Sequence, residues 1–495
     1  MSDANTAPAT VSTLIAQAAE QLRQQNHAAV SRSAQQILAI DPGNSDALYL
    51  LGMSAMAMNR PDLAANLIGK AVERQAGRPY YHLNLGLAQS RLGLLAEAEA
   101  SLWQALALQE DLPEAYVNLG NLSFARNERQ QAAAFYHKAL TYHSGLESAW
   151  YNLGILEQEA GRQQQALAHF ARALQADPQN ARTHMGRAAS LLKQGDYQAG
   201  WQAYEWRFRL PDNGPRICPV PRWQGEPLPG KRIYLYTEQG FGDALMFARF
   251  IAPLRAMGAI TLLECRPELL ALFRQSELAD RIEAREIGDQ QPPPFDYDLH
   301  LPLLSLPHLL ACTLDNLPAT VPYLSVDPAV AARWAARFAA DKGFKVGLSW
   351  SGNPDATVNH YRACRLTDLL PLLQLPGITF YSLQKGTPAE QLTAALQAEY
   401  AIQPLAEALH DFQETAAALQ HLDLLISTDT AIVHLAGALG RPVWTLLHSA
   451  AEWRWLQERS DTPWYPGMRL FRQTELGAWQ QPVRQMVQAL ADRSR

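Results

Sequence analysis

Four glycines, Gly52, Gly86, Gly120 and Gly154, recur at intervals of 34 residues, and a leucine precedes each of them (Leu51, Leu85, Leu119, Leu153). Twelve residues beyond each glycine stands Ala64, Ala98, Ala132 or Ala166, and seven further on Ala71, Ala105, Ala139 or Ala173. A pair of helices repeating at a fixed period cannot bury its apolar face alone, so copies must stack into a solenoid. Small residues at fixed places let two antiparallel helices cross with their backbones close. Asp41-Pro42 and Asp177-Pro178 end second helices where proline cannot continue them. Weaker units flank the clear ones: residues 11–44 lack the glycine, and the last unit carries Ala188 and Gly200 in the small positions. Six units are therefore predicted to fill the first two-fifths of the chain.

The spacing is that of a tetratricopeptide repeat. It predicts a short disordered tail over residues 1–10 and an all-α solenoid over residues 11–210. The sixth residue of the first helix reads Asn84, Asn118 and Asn152 in three successive repeats. Two readings stand side by side. The asparagines cap or satisfy neighbouring backbone, or they form an acceptor-binding ladder on the concave side, since an amide offers a donor and an acceptor to an extended main chain. Such a ladder resembles the tetratricopeptide arm of the protein O-GlcNAc transferases. Tyr80, Tyr116, Trp150 and Tyr151 would supply apolar contacts beside it, although Tyr116 and Trp150 occupy a position that normally packs inside.

Composition narrows the function classes. The chain has 495 residues, 48% hydrophobic and 18% charged, enough for about three domains. A net charge of −6 argues against a nucleic-acid partner. No stretch resembles the ~20 uninterrupted apolar residues of a membrane span. The most apolar run, Leu299 to Leu314, is broken by Pro302, Pro307, His300 and His308. The opening segment MSDANTAPAT has neither a basic region nor an apolar core, so no secretory signal is expected. Cys218, Cys265, Cys312 and Cys364 stand too far apart for a metal knuckle or a dense disulfide framework, which suits a reducing cytoplasm.

After the repeats, Trp201, Tyr204, Trp206 and Phe208 close the solenoid, and a proline-rich linker over residues 211–230 comes next. The periodicity then changes. Strands are expected at 231–237 and 259–265 around a helix at 243–257, and a helical bridge at 327–343 leads to a second alternation. There the strands are 345–350, 378–384, 423–428 and 442–447, with helices at 366–374, 388–398, 413–421 and 430–439. Strands alternating with helices imply parallel sheets covered on both faces. Two Rossmann-like halves, residues 231–326 and 327–495, are predicted, with substrates at the carboxyl ends of their strands.

Three loops at those ends carry candidate chemistry. In the first, Gly240 and Gly242 are expected to allow a tight strand-to-helix turn, and Asp243 falls in the first helical turn, as a simple cap or as a working carboxylate. In the second, the helix beginning near Thr430 offers free amides to a phosphate. Asp429 is placed as its cap or as an acceptor for sugar hydroxyls, and His434 as a phosphate donor or a packed core histidine. In the third, Ser351, Gly352 and Asn353 have turn chemistry, while Arg362 and Lys385 bring cations that are either surface groups or stabilisers of a departing phosphate.

Together these segments carry a resemblance. EQGFGDALMFARF, PLLSLP, VPYL, GLSWSGNP, YSLQKG, STDTAIVHLAGALGRPVW, EWRW and DTPWYPGMRLFRQ resemble, in order, the bacterial tetratricopeptide-repeat glycosyltransferases, whose catalytic half is similar to the ADP-heptose lipopolysaccharide heptosyltransferases. The resemblance implies a GT-B fold with an acceptor-side half and a nucleotide-sugar half. By motif, Asp243 matches the family's catalytic base, and Asp429, Thr430 and His434 match its donor-binding segment. Gln384 and Lys385 resemble a phosphate contact of the O-GlcNAc transferases, although there the two residues are not adjacent. Ala431 replaces the family's glycine after Asp-Thr, and no cysteine-rich iron knuckle is present, so no metal or cofactor is expected.

The implied activity is an inverting glycosyltransferase in the cytoplasm, drawing on a nucleotide-sugar and acting on a protein held by the repeats, such as flagellin or another surface protein. A glycolipid or lipopolysaccharide acceptor, or a scaffold that has lost catalysis, are the alternatives.

Overall fold

The computed structural model of the chain describes residues 10–211, 216, 218–286, 293, 295–355 and 359–493. All but the last residue of the expected tail, and part of the expected linker, lie outside the described residues. The helical region is built of six antiparallel pairs: α1 (Val11–Arg23) with α2 (His27–Ile40), α3 (Ser45–Ala57) with α4 (Pro61–Arg74), α5 (Pro79–Arg91) with α6 (Leu95–Leu108), α7 (Pro113–Ala125) with α8 (Arg129–Tyr142), α9 (Glu147–Glu159) with α10 (Gln163–Ala176), and α11 (Ala181–Gln194) with α12 (Tyr197–Tyr204). Asn26 and Asn44 cap α2 and α3, their side-chain oxygens accepting from Ala29 and Ala47 amides. Proline opens α4, α5 and α7, where the missing N–H costs nothing.

The periodic glycines have a more specific role than close backbone crossing. A Cβ on Gly52, Gly120 or Gly154 would come within 2.4 to 2.5 Å of the side chain of Ile68, Tyr136 or Phe170, and one on Gly86 within 2.9 Å of Leu102. Each glycine is thus a socket for a large residue of its own repeat's second helix, and all four of those residues are fully buried.

The chain divides into two compact units. One runs up to Leu156 and includes Ala168–Asn180; the other holds Glu157–Leu167 and everything from Ala181 on. In the second unit α11 and α12 share a core with the α/β region. Trp201 meets Trp453 edge-on with centroids 5.1 Å apart, and Trp464 donates its indole N–H to the Tyr197 hydroxyl at 3.0 Å. The aromatic residues of α12 therefore end the repeats by packing into the α/β core.

Two parallel sheets form the rest of this unit. The first contains β1 (Arg232–Tyr236), β2 (Ile260–Cys265), β3 (Arg281–Ala284) and β4 (Leu299–Pro302) in the order β3-β2-β1-β4. Its helices are α13 (Phe241–Phe247), α14 (Ile251–Ala256), α15 (Pro267–Gln275) and α16 (Leu306–Leu309), and α17 (Pro328–Phe338) bridges to the second sheet. That sheet has the order β10-β9-β8-β5-β6-β7, from β5 (Phe344–Ser349), β6 (Ile378–Ser382), β7 (Gln403–Pro404), β8 (Leu424–Thr428), β9 (Val443–Leu447) and β10 (Met468–Arg472). Helices α18 (Asn359–Arg362), α19 (Leu370–Leu373), α20 (Ala394–Tyr400), α21 (Phe412–Gln420), α22 (Ala431–Ala438) and α23 (Gln480–Arg493) connect or succeed its strands. The chain runs outward from β5 through β6 and β7, then returns to the other side of β5 as β8. Such a reversal opens a crevice at the carboxyl ends of β5 and β8, the usual ligand site of an open parallel sheet.

Buried arginine holds the two sheets' surroundings together. Arg249, 3% exposed, donates to the carbonyls of Met246, Pro318 and Trp464 and to the Tyr323 hydroxyl. Among the described residues no helix is long and apolar enough to cross a membrane, and no three His, Cys, Asp or Glu side chains are grouped to hold a metal ion.

Candidate functional site

The turn from β1 into α13 brings Asp243 to the second sheet's crevice. Its backbone differs from the expectation that glycine supplies the tight turn. Gln239 takes the left-handed conformation, with φ 65°, whereas Gly240 is extended at φ −82°. Gly242 is needed for another reason: a Cβ there would lie 2.9 Å from His434 Cδ2, so its hydrogen lets α13 lie directly against α22. Asp243 Oδ2 accepts from the Gly240 amide at 3.2 Å, the capping bond anticipated from sequence. Its Oδ1 is ion-paired with Arg454, which lies in the turn Trp453–Trp455 after β9.

From Arg454 a chain of charges runs through the crevice. Arg454 also pairs with Glu452, and Glu452 pairs with Arg362. The Arg362 Nε lies 3.9 Å from Asp429 Oδ2, and Asp429 Oδ1 lies 3.9 Å from His434 Nε2. Asp429, 4% exposed, comes directly after β8. Burial works to raise its carboxyl, but Arg362 and then His434 draw it below the ordinary value. His434 is buried as well: burial brings its imidazole down to about 4, so the ring is neutral near pH 7. Its Nδ1 is 3.1 Å from the Tyr465 hydroxyl and its ring stacks on Trp455 at 5.4 Å.

Thr430, not Asp429, is the N-cap of α22, and its side chain makes no capping bond. The Val433 amide donates to the Thr430 carbonyl at 3.1 Å, which leaves the Ala431 and Ile432 amides at the start of α22 for another acceptor. The loop after β5 closes on this point, since a Cβ on Gly352 would lie 3.4 Å from Thr430 Cγ2. Five polar atoms here have no hydrogen-bond partner among the described residues although they are shielded from solvent: Asp429 Oδ2, Thr428 Oγ1, Arg362 Nε, His448 Nδ1 and Trp455 Nε1. Native interiors rarely leave such groups unmatched. Their clustering at the carboxyl ends of β8 and β9 marks a place built for a polar ligand.

Residues 384–476 match the glycosyltransferase family 9 (heptosyltransferase) family, and residues 21–87 and 147–180 match tetratricopeptide repeat families. The carboxyl-terminal region carries a glycosyltransferase family 9 domain. Protein FlbA of Caulobacter vibrioides is 32% identical over 335 residues, 63% of this chain and 55% of the relative, so the chain spans little more than half of FlbA's length. Solved structures similar to it include MamA (23% identity, TM-score 0.29, 33% of this chain and 96% of that one) and PilF of Pseudomonas aeruginosa (20%, TM-score 0.36, 41% and 93%). The repeat matches and the observed sheets together make the chain a tetratricopeptide solenoid followed by a region of parallel α/β sheets, consistent with a GT-B-like domain.

The family 9 domain contains Asp429, Thr430, His434, His448, Glu452 and Arg454, while Asp243 and Arg362 reach its crevice from outside the matched segment. Of the sequence-predicted donor residues, the structure gathers Arg362, Asp429, Thr430 and His434 beside Asp243. It gives Gln384 and Ser351 another task. The buried Gln384 amide accepts from the Trp350 and Ser351 amides, both at 2.9 Å, and donates to the Ser351 and Lys385 carbonyls. Three of these bonds fix the end of β5 to the end of β6. Lys385 is exposed, and its Nζ donates to the Leu409 carbonyl at 2.5 Å. Asn353 is exposed, its side-chain oxygen accepting from the Asp355 amide.

The residues that sequence reasoning missed are Arg454, Glu452 and His448. EWRW was legible as a motif, but nothing local ties its arginine to a carboxylate 211 positions away.

In the repeats, two of the three asparagines, Asn84 and Asn152, bond across to the preceding repeat. Asn84 donates to the Tyr49 hydroxyl at 2.8 Å and to the Tyr80 carbonyl; Asn152 donates to Asn121 Oδ1 at 2.9 Å. Among the described residues their side-chain oxygens accept nothing, and the Asn118 side chain makes no hydrogen bond. Of the neighbouring aromatics, Tyr116 is buried against Tyr142, Trp150 donates to the Ser144 carbonyl, Tyr151 tilts on Phe170, and Tyr80 is half exposed.

Proposed function

We propose that the chain is an inverting glycosyltransferase that moves a sugar from a nucleotide-sugar to a protein held by the tetratricopeptide repeats, without a metal ion, in the cytoplasm. The observation that carries this reading is the run of paired charges from Asp243 to Asp429 at the reversal point of the second sheet. The donor's phosphate sits at the open amides of α22, and Arg362 and Arg454 are close enough to receive its charge. Asp429, itself an anion, takes a hydroxyl of the sugar or ribose.

Asp243 acts as the base. Both of its oxygens are engaged in the ligand-free chain, one by the Gly240 amide and one by Arg454. An arriving phosphate competes for the Arg454 guanidinium and frees the carboxylate. The acceptor hydroxyl then gives its proton to Asp243 as its oxygen bonds to the anomeric carbon, and the bond from that carbon to the phosphate oxygen breaks with its electron pair leaving on the phosphate. Attack from the face opposite the phosphate inverts the anomeric configuration.

The test is to incubate the protein with a panel of nucleotide-sugars and a protein acceptor such as flagellin, with and without chelator, and to read transfer by intact mass and anomeric configuration by NMR. Retained configuration, or loss of transfer on chelation, overturns the mechanism; transfer to lipid acceptors alone overturns the acceptor.

A further inference from the structure

Lys193 lies on α11, the first helix of the sixth repeat, and is 7% exposed. It makes no hydrogen bond and no ion pair with any described residue. Its Nζ is not among the polar atoms fully sealed from solvent without a partner. Burial first and Arg472 second bring its ammonium down to about 8, with Glu159 opposing both. A cation taken out of water without a partner is costly to the fold.

The surroundings of Lys193 explain why such a cation would be kept. Helix α11 packs against the Trp453–Trp455 turn that carries Arg454. His448, the residue after β9, is within electrostatic reach of Asp429, Arg362, Lys193 and Arg472 together. Arg472 is already committed, donating to the Trp455 and Arg459 carbonyls. Lys193 is not. His448 and Asp429, both more than nine-tenths buried, hold unmatched polar atoms at the carboxyl ends of β8 and β9, and Lys193, equally buried, lies within electrostatic reach of His448. Their chemistry is complementary: an ammonium and an imidazole nitrogen suit a phosphate, and a carboxylate beside them suits a hydroxyl of the same molecule.

We propose that the last helical repeat contributes Lys193 to the donor site as a direct ligand of the nucleotide's phosphate. The inference rests on the donor placement under the proposed function and adds to it. On this reading the sixth repeat is part of the nucleotide-binding machinery as well as the end of the acceptor arm.

Inorganic pyrophosphate is the probe, titrated calorimetrically into the full chain, into Lys193→Met and into Arg362→Ala. Lys193→Met is expected to weaken binding roughly tenfold or more, as loss of a charge-assisted hydrogen bond does. Its ligand-free melting temperature should hold or rise, because an unpartnered buried charge has gone. Unchanged affinity in Lys193→Met while Arg362→Ala binds less tightly overturns the role of Lys193 and leaves the donor site standing. Failure of the wild-type chain to bind pyrophosphate overturns both. A second measurement uses wild-type protein only: saturating pyrophosphate should shield Lys193 from acylation by an amine-reactive ester, read by peptide mass spectrometry. Labelling of Lys193 at the same rate with and without pyrophosphate overturns the proposal even if Lys193→Met unfolds.

Discussion

Arg454, from the turn after β9, is ion-paired with Asp243, from the turn after β1, so the proposed base of one α/β half is held by a cation of the other. The pair is largely buried, with Arg454 at 10% and Asp243 at 15% side-chain exposure. Removing one partner from such a pair leaves a charge without compensation. Arg454→Met should therefore destabilise the chain by about 3 kcal/mol. The double variant Arg454→Met with Asp243→Asn should recover part of that loss. Chemical denaturation of the four proteins gives the coupling, and strictly additive losses would deny the pair any energetic role.

Asp243→Asn on its own should keep the fold and nucleotide binding, since an amide still accepts from the Gly240 N–H. Turnover should fall by roughly 10² or more, the scale of a lost general base. Steady-state rates at saturating donor and acceptor check this. Wild-type turnover would reduce Asp243 to a helix cap.

Gln384→Leu should cost stability more than affinity. The amide satisfies two buried N–H groups and two carbonyls between β5 and β6, and each buried donor left unmatched costs about 1–3 kcal/mol. A lower melting temperature with nucleotide affinity reduced only in proportion to unfolding is the expected result. A specific loss of nucleotide affinity in a stably folded variant would return Gln384 to the donor site.

Much of the architecture was legible in the sequence because it rests on local rules. The glycine period predicts the helix pairs, and the strand-helix alternation predicts β1, β2, β5, β6, β8 and β9. Strand β4 was hidden in a run that prolines and histidines interrupt, and β3, β7 and β10 lie toward or at sheet edges, where the apolar signal is weak. The site was legible only in part. Asp243, Asp429, Thr430 and His434 come after strands or lie in first helical turns, positions that patterning finds, and Arg362 ends the short helix α18. Arg454 and His448 acquire their meaning from groups brought together by the sheets, which no spacing along the chain encodes. Gln384 shows the converse, since a resemblance to a phosphate contact says nothing of the backbone amides that the structure folds around it.

Acid should weaken the fold through two histidines. His434 and His448 are both brought down to about 4, burial being the largest cause in each. Unfolded, they would take up protons near pH 6.5, so below that pH the unfolded chain binds more protons than the folded one. Stability present above pH 6.5 is therefore lost progressively as pH falls toward 4. His434→Gln should flatten this slope in melting temperature between pH 6.5 and 4. An unchanged slope in that variant and in His448→Gln would mean that carboxylates alone govern the acid transition.

The asparagine ladder gives the last test. Asn84 and Asn152 each donate an amide N–H to the preceding repeat and leave their oxygens open, so a bound peptide would meet acceptors for its backbone N–H groups. Replacing Asn84, Asn118 and Asn152 by alanine should raise the KM for a protein acceptor while nucleotide-sugar hydrolysis stays nearly constant, because the ladder would contribute ground-state binding alone. Alanine's better helix propensity offsets part of the two lost cross-repeat bonds, so the melting temperature should drop by only a few degrees. A short acceptor peptide that does not reach the repeats should be turned over equally by both proteins. If the full protein acceptor is equally indifferent, the asparagines serve to join neighbouring repeats and the acceptor is held elsewhere.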